Sequence, residues 1–193
     1  MKKGQLFFLI GNSGSGKDSL LNEVLSSWPK DFVSIKVPQR YITRFSHETE
    51  PFISVSKEKF IEMKNKNEFS LTWHIYDLDY GVPKIIEKWL SDGFNVIINV
   101  SRTIVPQARK KFPNLRVIFV KVPFEITLKR IKSRGREDEN SEKFKMRVKR
   151  AKENQEYPEA DFVIDNSGDL SFAVQKLKDY LLSFAEKSKK GEN

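Results

Sequence analysis

The apolar run LFFLI (residues 6–10) stops at GNSGSGK (residues 11–17), and leucines at helical spacing follow in KDSLLNEVL. This pattern predicts a buried strand, a glycine-rich turn and a helix, in that order. Glycines let successive backbone N–H groups curl around an anion, and the start of the following helix adds a favourable dipole. The G-x-x-x-x-G-K spacing then puts a lysine within reach of the outer phosphates of a nucleotide. A plain strand–helix turn would need neither the lysine nor this spacing. Gly11, Asn12, Ser13, Gly14, Ser15, Gly16, Lys17, Asp18 and Ser19 are therefore the candidate nucleotide-binding residues.

Asp18 stands where this loop usually carries Ser or Thr. A carboxylate in the first turn of a helix complements the helix dipole. It would also repel a triphosphate unless a cation lay between them. Mg²⁺ accepts carboxylate oxygens readily, so Asp18 is the candidate metal ligand. Ser19, about 100° further round the helix, offers a hydroxyl instead.

Strand and helix patterns alternate along the rest of the chain. DFVSIKV, FNVIINV, LRVIFVKV and DFVIDN read as strands. SKEKFIEMKNK, PKIIEKWLSDG, IVPQARKKF, FEITLKRIKSR, SEKFKMRVKRAKENQ and LSFAVQKLKDYLLSFAEK read as helices. Such alternation predicts an α/β fold with a parallel sheet covered by helices on both faces. The length of 193 residues suggests one domain. The apolar run at the N-terminus is too short for a signal peptide core, and no stretch is long enough to span a membrane. With no cysteine, a cytoplasmic location is the expectation. The terminal SKKGEN is expected to fray.

Lys+Arg total 35 against 26 Asp+Glu, a formal charge of +9. Many lysines alternate with glutamates in helical stretches, as on any solvated face. The arginines cluster instead at 40/44, 102/109 and 130/134/136/147. Their planar forks suit small oxyanions rather than a nucleic-acid surface.

GNSGSGKDSLL, QRYITR, SLTWHIYDLDYGVP, NVSRTIVPQAR and RGRE together resemble the ribose 1,5-bisphosphate phosphokinase branch of the guanylate-kinase-like P-loop kinases. The resemblance runs from about residue 5 to 170. It implies a five-stranded parallel core (about 1–38, 83–133 and 148–187), an acceptor-binding subdomain (about 39–82) and a lid (about 134–147). It also implies ATP and Mg²⁺ as cofactors and a phosphorylated sugar as acceptor. The runner-up is a nucleoside monophosphate kinase.

By the same resemblance, Arg40, Arg44 and Tyr80 hold the acceptor's phosphate, although surface arginines paired with Glu48 or Glu50 are an alternative. Arg130, Arg134 and Arg147, with Arg136 as a further candidate, resemble lid residues that close over ATP and act with Lys17 in catalysis. Asn166, in DNSGDL, resembles a residue of the loop beneath the adenine. Guanylate kinases read guanine with carboxylates at positions where this chain has Thr72 and Ser101. His74 and Arg102 lie nearby and would give the pocket a cationic end for a remote phosphate.

Overall fold

The computed structural model describes residues 3–44, 52–75, 77–133 and 138–188. The chain divides into two compact units, one comprising 1–6, 35–98 and 103–115, the other 7–34, 99–102 and 116–193. The division passes through the first and sixth strands. No helix among the described residues is long and apolar enough to cross a membrane.

The second unit is built on β1 (Leu6–Ile10), α1 (Lys17–Ser26), β7 (Arg116–Lys121), α5 (Phe124–Ser133), α6 (Glu142–Glu153), β8 (Phe162–Asp165) and α7 (Leu170–Leu182). With β6 (Val96–Asn99), its strands form a sheet in the order β6-β1-β7-β8. β1 runs parallel to β7, pairing Phe8 with Val117 and Ile10 with Phe119, and β7 runs parallel to β8. Phe7, Phe8, Leu9 and Ile10 are wholly buried. A strand covered on both faces has no polar side to present, which is why these runs lack alternation. α1 and α7 pack together, and Asp169 caps α7 by accepting from the Ser171 N–H at 2.8 Å. α5 and α6 share an apolar seam of Ile131, Phe144 and Ala151, flanked by Phe124, Leu128 and Val148. α6 runs unbroken past residue 147, the expected end of the lid. Arg134 and Arg136 lie outside the described residues, as do Glu48, Glu50 and the end of the SKKGEN tail.

Among the described residues this sheet has four strands rather than the expected five. DFVSIKV contributes only isolated bridges, Phe32 with Lys187 and Lys36 with Val96. Lys36 donates to the Asn95 carbonyl at 2.8 Å and accepts from the Ile97 N–H at 3.0 Å. The next donor in a parallel ladder would belong to residue 38. That residue is proline, which has no N–H, so pairing stops after one rung.

The first unit carries a second sheet, which the hydrophobic pattern did not reveal. β2 (Arg40–Ile42), β3 (Phe52–Ser54), β4 (Phe69–Ile75) and β5 (Leu78–Pro83) stand in the order β3-β2-β5-β4. β2 and β3 are parallel, while β5 is antiparallel to both β2 and β4. α2 (Lys57–Asn65) starts at Ser56, whose hydroxyl accepts from the Lys59 N–H. Phe60 and Met63 of α2 cluster with Phe69, and Tyr41 joins them. A Cβ at Gly81 would come within 2.5 Å of the Phe69 ring, so glycine at this position lets the ring lie against the strand. α3 (Ile85–Ser91) and α4 (Val105–Lys111) complete the unit. Glu87 binds both Ser70 (2.9 Å) and Lys111 (2.7 Å), tying α3 to β4 and α4. Burial pushes the Glu87 carboxyl up, but these hydrogen bonds outweigh it and hold the group below its ordinary value.

Candidate active site

Gly16 precedes α1 in the left-handed conformation, at φ 82°. A side chain there would be strained, and its Cβ would approach the Asn166 Nδ2 to 2.5 Å. Lys17 Nζ donates to the carbonyls of Gly11 (2.8 Å) and Asn12 (2.9 Å) and to the Ser15 hydroxyl (3.2 Å). The ammonium is thus held against the loop from the first turn of α1. Asp18, one residue on, is exposed. Its Oδ1 accepts from the Asn99 Nδ2 at 2.5 Å.

Asn166 braces this loop from the far end of β8. It is only 3% exposed, and its Nδ2 donates to the Ser15 carbonyl at 2.8 Å. Its own carbonyl accepts from both Nη atoms of Arg130 at 3.2 Å. Three elements therefore meet at one asparagine: the glycine loop, α5 and the β8–α7 turn. A cavity of about 240 Å³ lies there, lined by Gly14, Gly16, Ser19, Arg130, Ser133, Asn166, Gly168 and Leu170. Asn166 and Arg130, paired with the loop only by resemblance, are brought together with it. Arg147 lies in α6, partly buried.

Arg102 has partners that its sequence did not foretell. Its Nη1 donates to the Glu156 carbonyl (3.2 Å) and Asn154 Oδ1 (3.4 Å). Its Nη2 donates to Asn12 Oδ1 (3.1 Å) and the Asn154 carbonyl (3.0 Å). Asn12 Nδ2 in turn donates to the carbonyls of Ala151 (3.2 Å) and Asn154 (3.0 Å). These carbonyls are the acceptors that the C-terminus of α6 leaves without helical partners, and a cation suits the negative end of the dipole. The guanidinium also lies 5.4 Å from the Phe119 ring centroid and 5.8 Å from that of Tyr157. Burial first, and then nearby Arg150, lower its pKa from the ordinary arginine value. A phosphate at this side chain would have to displace protein oxygens from every Nη–H.

In the first unit, the register of the second sheet sorts the candidate acceptor residues. Tyr80 pairs with Ile42 and with Trp73, whose indole it stacks on at 5.1 Å. Alternation then puts Arg40 on the same face as Ile42 and Tyr80. Thr72 pairs with Gly81, and His74 with Asp79, so Thr72 and His74 occupy the opposite face. The His74 ring is mostly exposed and meets the Asp79 carboxylate at 2.9 Å. The Arg44 guanidinium lies 4.7 Å from the Phe52 ring centroid. Ser101 follows β6 in the other unit, partly buried. A single pocket face formed by Arg40, Tyr80, Thr72 and His74 does not follow from this register. Reading the segment as a string rather than a hairpin hid that separation.

Asn99 and Asn154 were not singled out in the sequence. Asn99 ends the β-branched run of β6 beside the loop, a signal that topology alone reveals. Asn154, the C-cap of α6, has no local signal.

Residues 3–184 match the guanylate kinase family profile. The ribose 1,5-bisphosphate phosphokinase PhnN of Thiobacillus denitrificans is 37% identical over 98% of each chain. Its counterpart in Pseudomonas paraeruginosa is 34% identical over 92% of this chain and 95% of the other. The crystal structure of guanylate kinase from Anaplasma phagocytophilum superposes with a TM-score of 0.69, covering 98% of this chain and 89% of that one. At 16% identity, that superposition speaks for the fold alone. Sequence, fold and loop agree: the chain belongs to the guanylate kinase family, a family of kinases, and has the PhnN phosphokinases among its relatives.

Proposed function

We propose that the chain transfers the γ-phosphoryl group of ATP to the 1-phosphate of ribose 1,5-bisphosphate, giving 5-phosphoribosyl 1-diphosphate and ADP. The observation that carries this reading is near full-length similarity to relatives named for that acceptor. An oxygen of the acceptor phosphate bonds to the γ-phosphorus. The bond from that phosphorus to the bridging oxygen breaks, and its electron pair leaves with ADP. The attacking phosphate oxygen is already ionised at neutral pH, so the protein's part is alignment and charge neutralisation.

The loop residues 11–19 cradle the ATP phosphates, and Lys17 neutralises charge as it develops on them. Arg130 and Arg147 act from α5 and α6, with Arg134 assigned by its position in the sequence. Arg40, Arg44 and Tyr80 hold the accepting phosphate. Thr72 and Ser101, matched to the guanine-reading positions by resemblance alone, are neutral. Thr72 shares the face of His74 rather than that of Arg40 and Tyr80, so what supports an acceptor without a guanine ring is the lack of a carboxylate, not a contact. We leave Arg102 and His74 out of the acceptor clamp, because the first has its Nη–H groups engaged and the second is held by Asp79 on the other face.

The donor set suits magnesium. Among the described residues there is no group of three or more His, Cys, Asp or Glu side chains arranged for a metal. Kinase magnesium needs only one or two carboxylates, with substrate phosphates and water supplying the rest. Asp18 would hold it, and when bound the ion neutralises charge across the transferring phosphates. A soluble cytoplasmic enzyme of small molecules, without nucleic acid as partner, completes the proposal. The product decides it: ³¹P NMR of a reaction with ATP should show a sugar diphosphate growing in as the 1-phosphate signal falls. Release of inorganic phosphate alone would refute the assignment.

A further inference from the structure

In P-loop enzymes, magnesium is ordinarily held by a Ser or Thr hydroxyl after the loop lysine and by a carboxylate at the end of a neighbouring strand. Here the residue after Lys17 is the carboxylate, Asp18, and the last residue of β6 is the neutral Asn99. The two side chains touch, Asn99 Nδ2 donating to Asp18 Oδ1 at 2.5 Å across 81 positions of sequence. We propose that Asn99 is a positioning residue for the metal, and that the Asp18–Asn99 pair has exchanged the charged and neutral donors across the site. This rests on the assignment of Asp18 to magnesium above.

The exchange has a physical logic. Asp18 sits on the exposed first turn of α1, where a carboxylate would otherwise sample several rotamers. A donor amide on β6 fixes one oxygen and leaves the other for the metal. A carboxylate at residue 99 could not play this part, since two like charges at this separation would repel and neither would donate. The site keeps one carboxylate in total, which preserves its charge against the phosphates. Exchanging amide and acid within the pair should therefore conserve both the hydrogen bond and the charge.

Two variants test this: Asp18→Asn, and the exchange Asp18→Asn with Asn99→Asp. Both are isosteric. Mn²⁺ affinity is measured by electron paramagnetic resonance in the presence of the non-hydrolysable analogue AMP-PNP, and AMP-PNP binding in EDTA reports the integrity of the loop. Asp18→Asn should weaken Mn²⁺ by at least about tenfold, the loss of one charged ligand. The exchanged pair should recover to within about threefold of the natural protein, since one carboxylate again faces the ion. Wild-type Mn²⁺ affinity in Asp18→Asn overturns the metal assignment of Asp18 itself. A weakened single variant with no recovery in the exchanged pair leaves that assignment standing and overturns the role of Asn99.

Discussion

Arg102 shows how much one side chain's surroundings alter its reading. In the sequence it is read, with His74, as the cationic end of a pocket for a remote phosphate. In the structure its guanidinium closes the C-terminus of α6 against Asn12 of the loop. Arg102→Ala would leave the carbonyls of Asn154 and Glu156 short of a donor, at a cost of about 1–3 kcal/mol. Its expected signature is a lower urea midpoint and a similar fractional loss of kcat/KM for ribose 1,5-bisphosphate and for any nucleotide acceptor. A loss confined to the bisphosphate would return Arg102 to the pocket for the remote phosphate. Legibility in sequence follows chain distance. Residues 11–19 are neighbours in the chain, so their pattern could be read consecutively. Asn12 meets Ala151 and Asn154 across 139 and 142 positions, and no local pattern encodes such a meeting.

Elements were legible where hydrophobic periodicity was long. α1, α6, α7 and the buried β1 and β7 follow the patterns expected of them. β2 and β3 have three residues each, too few for alternation to register against noise. The expected fifth strand failed at Pro38, whose missing donor counts for more than the apolar run before it. Within the first unit, Glu87 joins three elements through Ser70 and Lys111. Because its pKa is lowered on folding, its contribution is present above the ordinary glutamate range and is lost as pH falls through the folded value. The group is one-third exposed, so Glu87→Gln should cost no more than about 1 kcal/mol at pH 7. Urea midpoints of the two proteins should differ at pH 7 and converge well below about pH 4. A gap that persists into acid would mean that packing, not the ionised carboxylate, supplies the effect.

At the scale of the whole molecule, one unit carries the glycine-rich loop with a cavity beside it and the other a second sheet bearing Arg40 and Tyr80, and the chain belongs to the guanylate kinase family of kinases. On the proposed reading, the sugar-phosphate acceptor is told from a nucleotide by the absence of guanine-reading carboxylates. By resemblance, Thr72 and Ser101 stand where guanylate kinases carry the carboxylates that read guanine. On that reading, guanine N–H groups buried there without acceptors would weaken nucleotide binding. The direct measurement is kcat/KM for ribose 1,5-bisphosphate and for GMP, at saturating ATP and Mg²⁺, by coupled ADP release. The bisphosphate should exceed GMP by at least about a hundredfold, equivalent to about 2.7 kcal/mol of discrimination. Comparable turnover of GMP would contradict the sugar-phosphate assignment and make the chain a nucleotide kinase.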